Sequence, residues 1–385
     1  MPFTRPHPLK VGISGSYGGL NLGDEAILHG IVGELRATLP VEVTVFSRNA
    51  EDTRVRHQVE RAVTVRELSR EEARPEVARL DVLILGGGGL LYDASARTYL
   101  REVSLANELG VPVVVYAVGV GPLAEGAVRK AVHEALERVE SAAVRDRRSR
   151  HLLEEIGVRR EIHVTADPAL LLDPAPDGAR LLDREGLTAD SPLIGLSVRE
   201  PGEAAPQLDV GHYHQLLANA ADFMVDRYGA SLVFVPMEVQ HDVQHGHAVI
   251  ARMVNARRAN VLKADYTAAE ILALIGHFEF ALGMRLHFLI FAALQGVPFL
   301  ALPYGSKVSG FLDEFGLSMP RVGNLGAGQL ISYIDRAWDT RRDLRARIAE
   351  VVPQLRERAR ETNRLVMRVL EPRMPASRSA RDTPS

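Results

Sequence analysis

Short apolar runs alternate with stretches whose apolar positions recur at helical spacing. Leu9–Ser14, Val41–Ser47, Leu80–Leu85, Val111–Val118 and Ala142–Arg145 read as strands. Ala26–Leu39, Tyr99–Leu109, Gly126–Val139 and the segment from Asp146 to Ile156 read as helices. The charged sequence from Ser47 to Arg79 reads as helix and loop, and His163–Thr165 with Asp167 closes this half. Strand–helix alternation of this kind predicts a parallel sheet wrapped by helices. Residues 174–192 are rich in Pro, Gly and Asp and read as a linker. A second alternation follows. Strands are expected at Leu193–Val198, Ser231–Pro236, Asn260–Lys263 and Pro298–Pro303, and helices at Tyr213–Tyr228, His241–Arg257, Ala268–His277 and Ser306–Phe315. Two more helices, Ala327–Thr340 and Arg341–Leu370, precede a polar, proline-bearing tail expected to be disordered. The expected fold is α/β, with two Rossmann-like domains facing across a cleft. Their bounds are 1–173 and 193–340, then a terminal helix over 341–370 and a tail over 371–385.

Phe278–Gly296 has the pattern of a buried strand, a break at Gly283 and a helix. Such a junction aims the N–H groups of the helix start above the sheet and favours an anion there. Arg285 and His287 stand at that start: one offers a planar fork for carboxylate or phosphate, the other moves a proton near neutral pH. An ordinary strand–helix join with a surface arginine and a satisfied histidine would show the same spacing. Near the N-terminus, Gly15 to Glu25 is a glycine-rich loop between strand and helix, yet it is neither the dinucleotide fingerprint nor a Walker loop. Asp24 and Glu25 fall in the helix's first turn, where either can simply complement the helix dipole. Four consecutive glycines, Gly86–Gly89, follow the Leu80 strand and permit positive φ and close approach of a ligand to backbone N–H groups. Of the four arginines between Arg145 and Arg150, Arg145 differs by ending a strand, where side chains face the crevice of an α/β sheet. The polar strand ends would then face each other, Asp24, the glycines, Arg145 and Asp167 against Arg199, Arg285, His287 and Lys307. A cleft with several cations and few carboxylates suits a substrate with two anionic groups. His241, Asp242, His245 and His247 have spacings that metals can use, but form no HExxH pattern, and a solvated helix start is the expected reading.

Composition narrows the classes. With 385 residues, 46% hydrophobic and 25% charged, the chain is an ordinary globular one of about two domains. A net charge of −3 argues against a general nucleic-acid binder. The chain has no cysteine, which excludes disulfides, thiolate catalysis and zinc–thiolate sites. The first ten residues lack the apolar run of a signal peptide, no stretch has the length of a membrane span, and a cytoplasmic location is expected.

Taken together, several motifs resemble those of the polysaccharide pyruvyl transferase family over about Val11 to Leu317. They are Gly18-Gly-Leu-Asn-Leu-Gly-Asp-Glu-Ala-Ile-Leu28, Gly86-Gly-Gly-Gly-Leu-Leu, Val144-Arg-Asp, Thr165-Ala-Asp-Pro-Ala, Arg285-Leu-His, Gly296-Val-Pro and Lys307-Val. The branch it looks most similar to pyruvylates a bacterial cell-wall carbohydrate. The resemblance implies a GT-B-like arrangement, phosphoenolpyruvate as donor, and a cyclic pyruvate ketal formed on two sugar hydroxyls. It further implies that Arg145, Arg285 and His287 line the donor site with Asp24 beside them. Asn21, Gly87, Gly88, Gly89, Arg199 and Lys307 complete the expected substrate contacts. His287 is the expected acid–base group, Arg285 and Arg145 the holders of carboxylate and phosphate, and Asp24 either the acceptor of a sugar hydroxyl's proton or the group that orients that hydroxyl. No cofactor or metal is demanded. The acceptor sugar is open, lipid-linked or polymeric, and a lipid-linked one would bring the protein to the inner membrane face. The helix after His287 begins with Phe288 where relatives carry glycine, and Tyr92 stands where they often carry Gln. Two other readings stay open: a glycosyltransferase of the same architecture using a nucleotide sugar, and a non-catalytic sensor of phosphorylated metabolites.

Overall fold

A computed structural model describes residues 8–188, 190–200, 209–303 and 306–371. The tail expected to be disordered lies, beyond Glu371, outside the described residues. In the first domain the strands β1 (Leu9–Ser14), β2 (Val41–Ser47), β3 (Arg61–Thr64), β4 (Val82–Leu85), β5 (Gly88–Leu91), β6 (Val113–Val120), β7 (Ser141–Val144) and β8 (Ile162–Val164) form one sheet. Its order is β3-β2-β1-β4-β6-β7-β8, with β5 also on β6, and every pairing is parallel. The second sheet runs β11-β10-β9-β12-β13, built from β9 (Leu193–Ser197), β10 (Ser231–Phe234), β11 (Ala259–Val261), β12 (Phe280–Gly283) and β13 (Phe299–Ala301). Both sheets are doubly wound, and the direction of winding reverses between β1 and β4 in one and between β9 and β12 in the other. Ligand crevices of open α/β sheets lie outside the strand ends at such reversals.

Helices from both domains share one core. Along α1 (Leu22–Thr38), Ala26, Ile27, Leu28 and Ile31 are fully buried. The helix packs on the short 3-10 turn Pro168–Leu171 and on α10 (Ala268–Ile275) and α11 (Leu286–Leu294) of the second domain. The closing helix α14 (Arg341–Leu370) returns to the first domain. There Arg358 donates to the Thr165 carbonyl at 2.7 Å, Thr362 bonds the Thr165 hydroxyl at 2.8 Å, and Asn363 donates to the Glu34 carbonyl at 3.2 Å. No helix among the described residues is long and apolar enough to cross a membrane.

Three elements depart from the sequence expectation. The charged stretch before Arg79 contains β3, an edge strand whose four residues are all only half-buried, so no apolar run marks it. The helix expected in the same stretch is α2 (Ala50–His57). Gly88 and Gly89, which follow the expected strand, belong to a further strand, β5, and they carry no side chain that could signal it. The stretch expected to be a linker contains α7 (Gly178–Glu185). Glu185 accepts from the N–H groups of Lys263 and Ala264 and from the Tyr266 hydroxyl, which fixes this segment to the second domain.

Phe288 sits at the centre of the second domain. Its ring fills space left by two strand glycines: a Cβ would come within 2.6 Å of it at Gly283 and 3.1 Å at Gly195. Phe288→Ala is therefore expected to cost about 3–5 kcal/mol, read as a lowered urea midpoint in equilibrium unfolding.

Candidate active site

The two crevices meet, and helix starts supply nearly all their polar groups. After β1 the chain wraps as a loop in which Tyr17 is fully buried. Gly15 and Gly86 leave the slot its ring occupies, since a Cβ at either would lie 2.5 Å or less from that ring or its hydroxyl. Asn21 is the N-cap of α1, and its side-chain oxygen accepts from the N–H groups of Gly23 and Asp24 at 3.0 and 3.4 Å. The Asn21 oxygen expected to meet substrate is thus spent on its own helix. Glu25 turns inward, accepting from Gly18 N–H at 2.9 Å and meeting His57 Nε2 at 2.7 Å. Asp24 turns to the cleft, beside the open backbone of Gly88.

Across the cleft α11 presents His287 in its first turn and Arg285 as its N-cap. The ring of His287 lies on Gly23, where a Cβ would stand 1.9 Å from Nδ1. Only glycine permits that approach. His287 Nε2 points to Asp167 Oδ2 at 3.6 Å, and Arg145 Nη1 donates to the same oxygen at 3.2 Å. Arg145 also lies 3.4 Å from Asp146 and is stacked on the bare backbone of Gly119. Lys307, in the first turn of α12 (Ser306–Glu314), joins Arg145, Asp167 and Leu286 around a small cavity of about 30 Å³. By volume it has room for about one water.

The two carboxyls flanking His287 are driven apart. Burial pushes the Asp24 carboxyl up from its ordinary value and Glu25 adds to this, while His287, the Ser16 hydroxyl and Lys307 pull it back only in part. Burial would also raise Asp167, but His287 above all, with Arg145 and the Ala169 N–H, holds it down to about 2. One group near the imidazole is suited to hold a proton and the other to remain charged, the arrangement that separates acid from base roles.

Arg285 is held by carboxylates. Nε and Nη2 donate to the two oxygens of Asp242 at 3.0 and 2.5 Å, and Nη2 also meets Glu238 at 2.8 Å. Asp242 is fixed in turn by the N–H groups of Met237 and Glu238, each at 3.1 Å. The same segment grips α1, through Leu22 N–H on the Met237 carbonyl at 2.8 Å and a bridge between Asn21 and Glu238. The cleft is thus not poor in carboxylates, as the sequence suggested: Arg145 and Arg285 each come with their own. Buried guanidinium groups need such partners, and the partners lie far away in sequence.

Of the other expected contacts, Gly87 packs on Ile27 and Pro168, Gly88 has φ of +96° near Asp24, and Gly89 is open to solvent. Arg199 lies beside Tyr213 and His245, on the Arg285 side of the site. The histidine cluster divides: His241 and His247 are exposed, Asp242 serves Arg285, and His245 Nδ1 meets His214 Nε2 at 2.9 Å. Burial first, and His245 second, bring His214 down to about 4. Sequence reasoning had Asp167 at a strand end but not as partner to His287. It read Asp242 as part of a solvated helix start, and it passed over Glu238, Ser16 and Arg48.

Since the folded-state carboxyl of Asp167 is depressed to about 2 from 3.8, its stabilisation is complete above pH 4 and is lost as pH falls through 2. That window carries about 2 kcal/mol. Asp167→Asn should lose that increment at pH 7 and flatten the acid-unfolding curve between pH 4 and 2, followed by circular dichroism.

At 22% identity over 73% of this chain and 71% of the relative, the chain is similar to the amylovoran biosynthesis protein AmsJ of Erwinia amylovora. Among solved structures it is similar in fold to the S. aureus MnaA–UDP complex, with a TM-score of 0.67 and 11% identity over 94% of this chain and 97% of that one. It is also similar to a glycosyltransferase from Rickettsia africae, with a TM-score of 0.65 and 12% identity over 95% and 99%. These likenesses identify the two-domain α/β architecture as that of GT-B glycosyltransferases and sugar-nucleotide epimerases. The polysaccharide pyruvyl transferase family model matches residues 21–306, which run from the cap of α1 to the start of α12 and so span His287 and both carboxylates beside it. By that match over most of its length, the chain belongs to the polysaccharide pyruvyl transferase family.

Proposed function

We propose that the protein transfers pyruvate from phosphoenolpyruvate to two hydroxyls of a sugar, forming a ketal and releasing phosphate. The observation that carries this reading is His287 lying 3.6 Å from Asp167 and acting electrostatically on Asp24, two carboxyls shifted in opposite directions. Arg145 and Lys307 stand on one side of the histidine, and Arg285 caps the same helix. Phosphoenolpyruvate has a carboxylate and a phosphate, which suit two cationic holders and converging helix starts. The ketal requires a proton on the methylene carbon and a developing cation at the carbon bearing oxygen. It then requires scission of the bond to phosphate and two new bonds to sugar oxygens. His287 delivers the proton to carbon, and Asp167 orients the ring. Asp24 takes the proton of the first attacking hydroxyl. Phosphate leaves with its charge held by Arg145 and Lys307, and it takes the proton of the second hydroxyl. The proton on Asp24 then returns to His287 through solvent, so donor and acceptor balance as phosphoenolpyruvate plus diol giving ketal plus hydrogen phosphate. The name of the Erwinia relative associates it with amylovoran biosynthesis, and an equivalent role in polymer assembly is proposed here.

Phosphate release from phosphoenolpyruvate, tested with a panel of lipid-linked and nucleotide-linked sugars, checks the reaction. Acceptor-dependent release with a product heavier by one pyruvate ketal is expected. Release of nucleotide from a sugar nucleotide, with phosphoenolpyruvate inert, would move the protein to glycosyl transfer. His287→Ala should lower turnover by about two orders of magnitude or more with the melting temperature kept. The two carboxylates on Arg285 should act oppositely. Glu238 is the more exposed and competes with an incoming anion, so Glu238→Gln should lower KM for phosphoenolpyruvate by about two- to fivefold. Asp242 is buried and fixes the guanidinium, so Asp242→Asn should raise KM by about tenfold or more.

A further inference from the structure

The first-domain crevice holds a cation that this chemistry does not use. Arg48 follows directly on β2, whose end opens beside the β1 loop. Its N–H donates to the Tyr17 carbonyl at 3.0 Å. Its guanidinium lies over Gly19, where a Cβ would come within 2.9 Å of Nη1. Nη2 donates to the Ser16 hydroxyl at 3.2 Å and to the Tyr99 hydroxyl at 3.4 Å. Tyr99 is itself braced by Arg66, whose guanidinium stacks 4.7 Å from the ring centre. The Ser16 hydroxyl also faces Asp24. Arg48 and Asp24 therefore lie on two sides of a single hydroxyl.

Arg145 and Arg285 are each in contact with a carboxylate. Among the described residues Arg48 is not: its donors go to neutral hydroxyls, and Asp24 and Glu238 reach it only through space. Arg48 is exposed. A guanidinium steered by two hydroxyls and a glycine, with further donors turned to solvent, offers a prepared fork for carboxylate or phosphate. It stands on the β2 side of Asp24, whereas Arg145, His287 and Lys307 approach from β7 and the second domain. We infer that Arg48 anchors an acceptor subsite for a sugar bearing an anionic group, a carboxylate or a phosphate ester, near the hydroxyls that enter the ketal. The inference rests on the proposed transfer, with Asp24 on the acceptor side. Ser16 and Tyr99 are positioning residues that set the plane of the fork.

Methyl glucuronide, a glycosyl phosphate and a neutral methyl glycoside, titrated by calorimetry into the protein without donor, test it and separate the two anion sources. At least one charged sugar is expected to bind more tightly than the neutral one. Arg48→Gln should weaken it by about tenfold or more, Arg48→Lys by less, and phosphoenolpyruvate binding should move by less than twofold. Equal binding of charged and neutral sugars, or unchanged binding in Arg48→Gln, overturns the inference. So does an equal loss for all three sugars in Arg48→Gln, which marks Arg48 as a brace for its loops. Failure of the transfer reading shows separately, as sugar binding without acceptor-dependent phosphate release.

Discussion

A glycine in the first turn of α1 lets two helices from different domains meet end to end, with the imidazole of His287 laid on the bare backbone of Gly23. Each helix start carries partial positive charge, so the junction is electrostatically unfavourable by itself. Arg145 and Lys307 add to that potential. Asp24 and Asp167 offset it, and the opposite directions of their shifts follow from their neighbours. Asp167 has a guanidinium in contact and stays charged. Asp24 has a hydroxyl and more distant cations, and burial prevails there. The same helix starts that need compensating anions favour an anionic substrate.

Nearly every polar group of the site belongs to a cap or a first turn. Asp24 lies in the first turn of α1, Asp167 caps the 3-10 turn, and Arg285 caps α11. Glu238 caps α9 (Val239–Ile250), with Asp242 in its first turn. This follows from the doubly wound fold, because each strand end passes directly into a helix start at the crevice. The site is therefore as rigid as the elements behind it. Tyr17 in its glycine slot, Phe288 against Gly195 and Gly283, and α14 on Thr165 are the packing that holds the two crevices in register.

The sequence made the strands legible where burial on both sides produced apolar runs, and the helices where one face was apolar. It lost β3, whose edge position requires no such run, and β5, whose glycines have no side chains to read. Arg145, Arg285 and His287 stood out because chemistry-bearing residues at strand ends are conspicuous beside an apolar background. Their carboxylates did not. Asp242 lies 43 residues from Arg285 and Asp167 lies 22 from Arg145, and only the fold brings them together. Asn21 looked like a ligand contact because capping and ligand binding use the same residue type at the same position. No spacing rule distinguishes them until the N–H groups it accepts from are known.

Paired cations change how substrate binding must work. An arginine already bonded to a carboxylate offers an incoming anion only its remaining donors, and the net potential it supplies is reduced by its partner. Arg285 shows both sides of this. Asp242 is fully buried and pinned by two backbone N–H groups, so it orients the guanidinium and cannot leave. Glu238 has its backbone tied to Asn21 but its side chain partly in water, so it can yield its place. A substrate carboxylate that displaced Glu238 would find the fork already aligned by Asp242. It would also free the Glu238 side chain beside Asn21 and the start of α1, which joins occupancy of the second domain to the helix that presents Asp24 from the first.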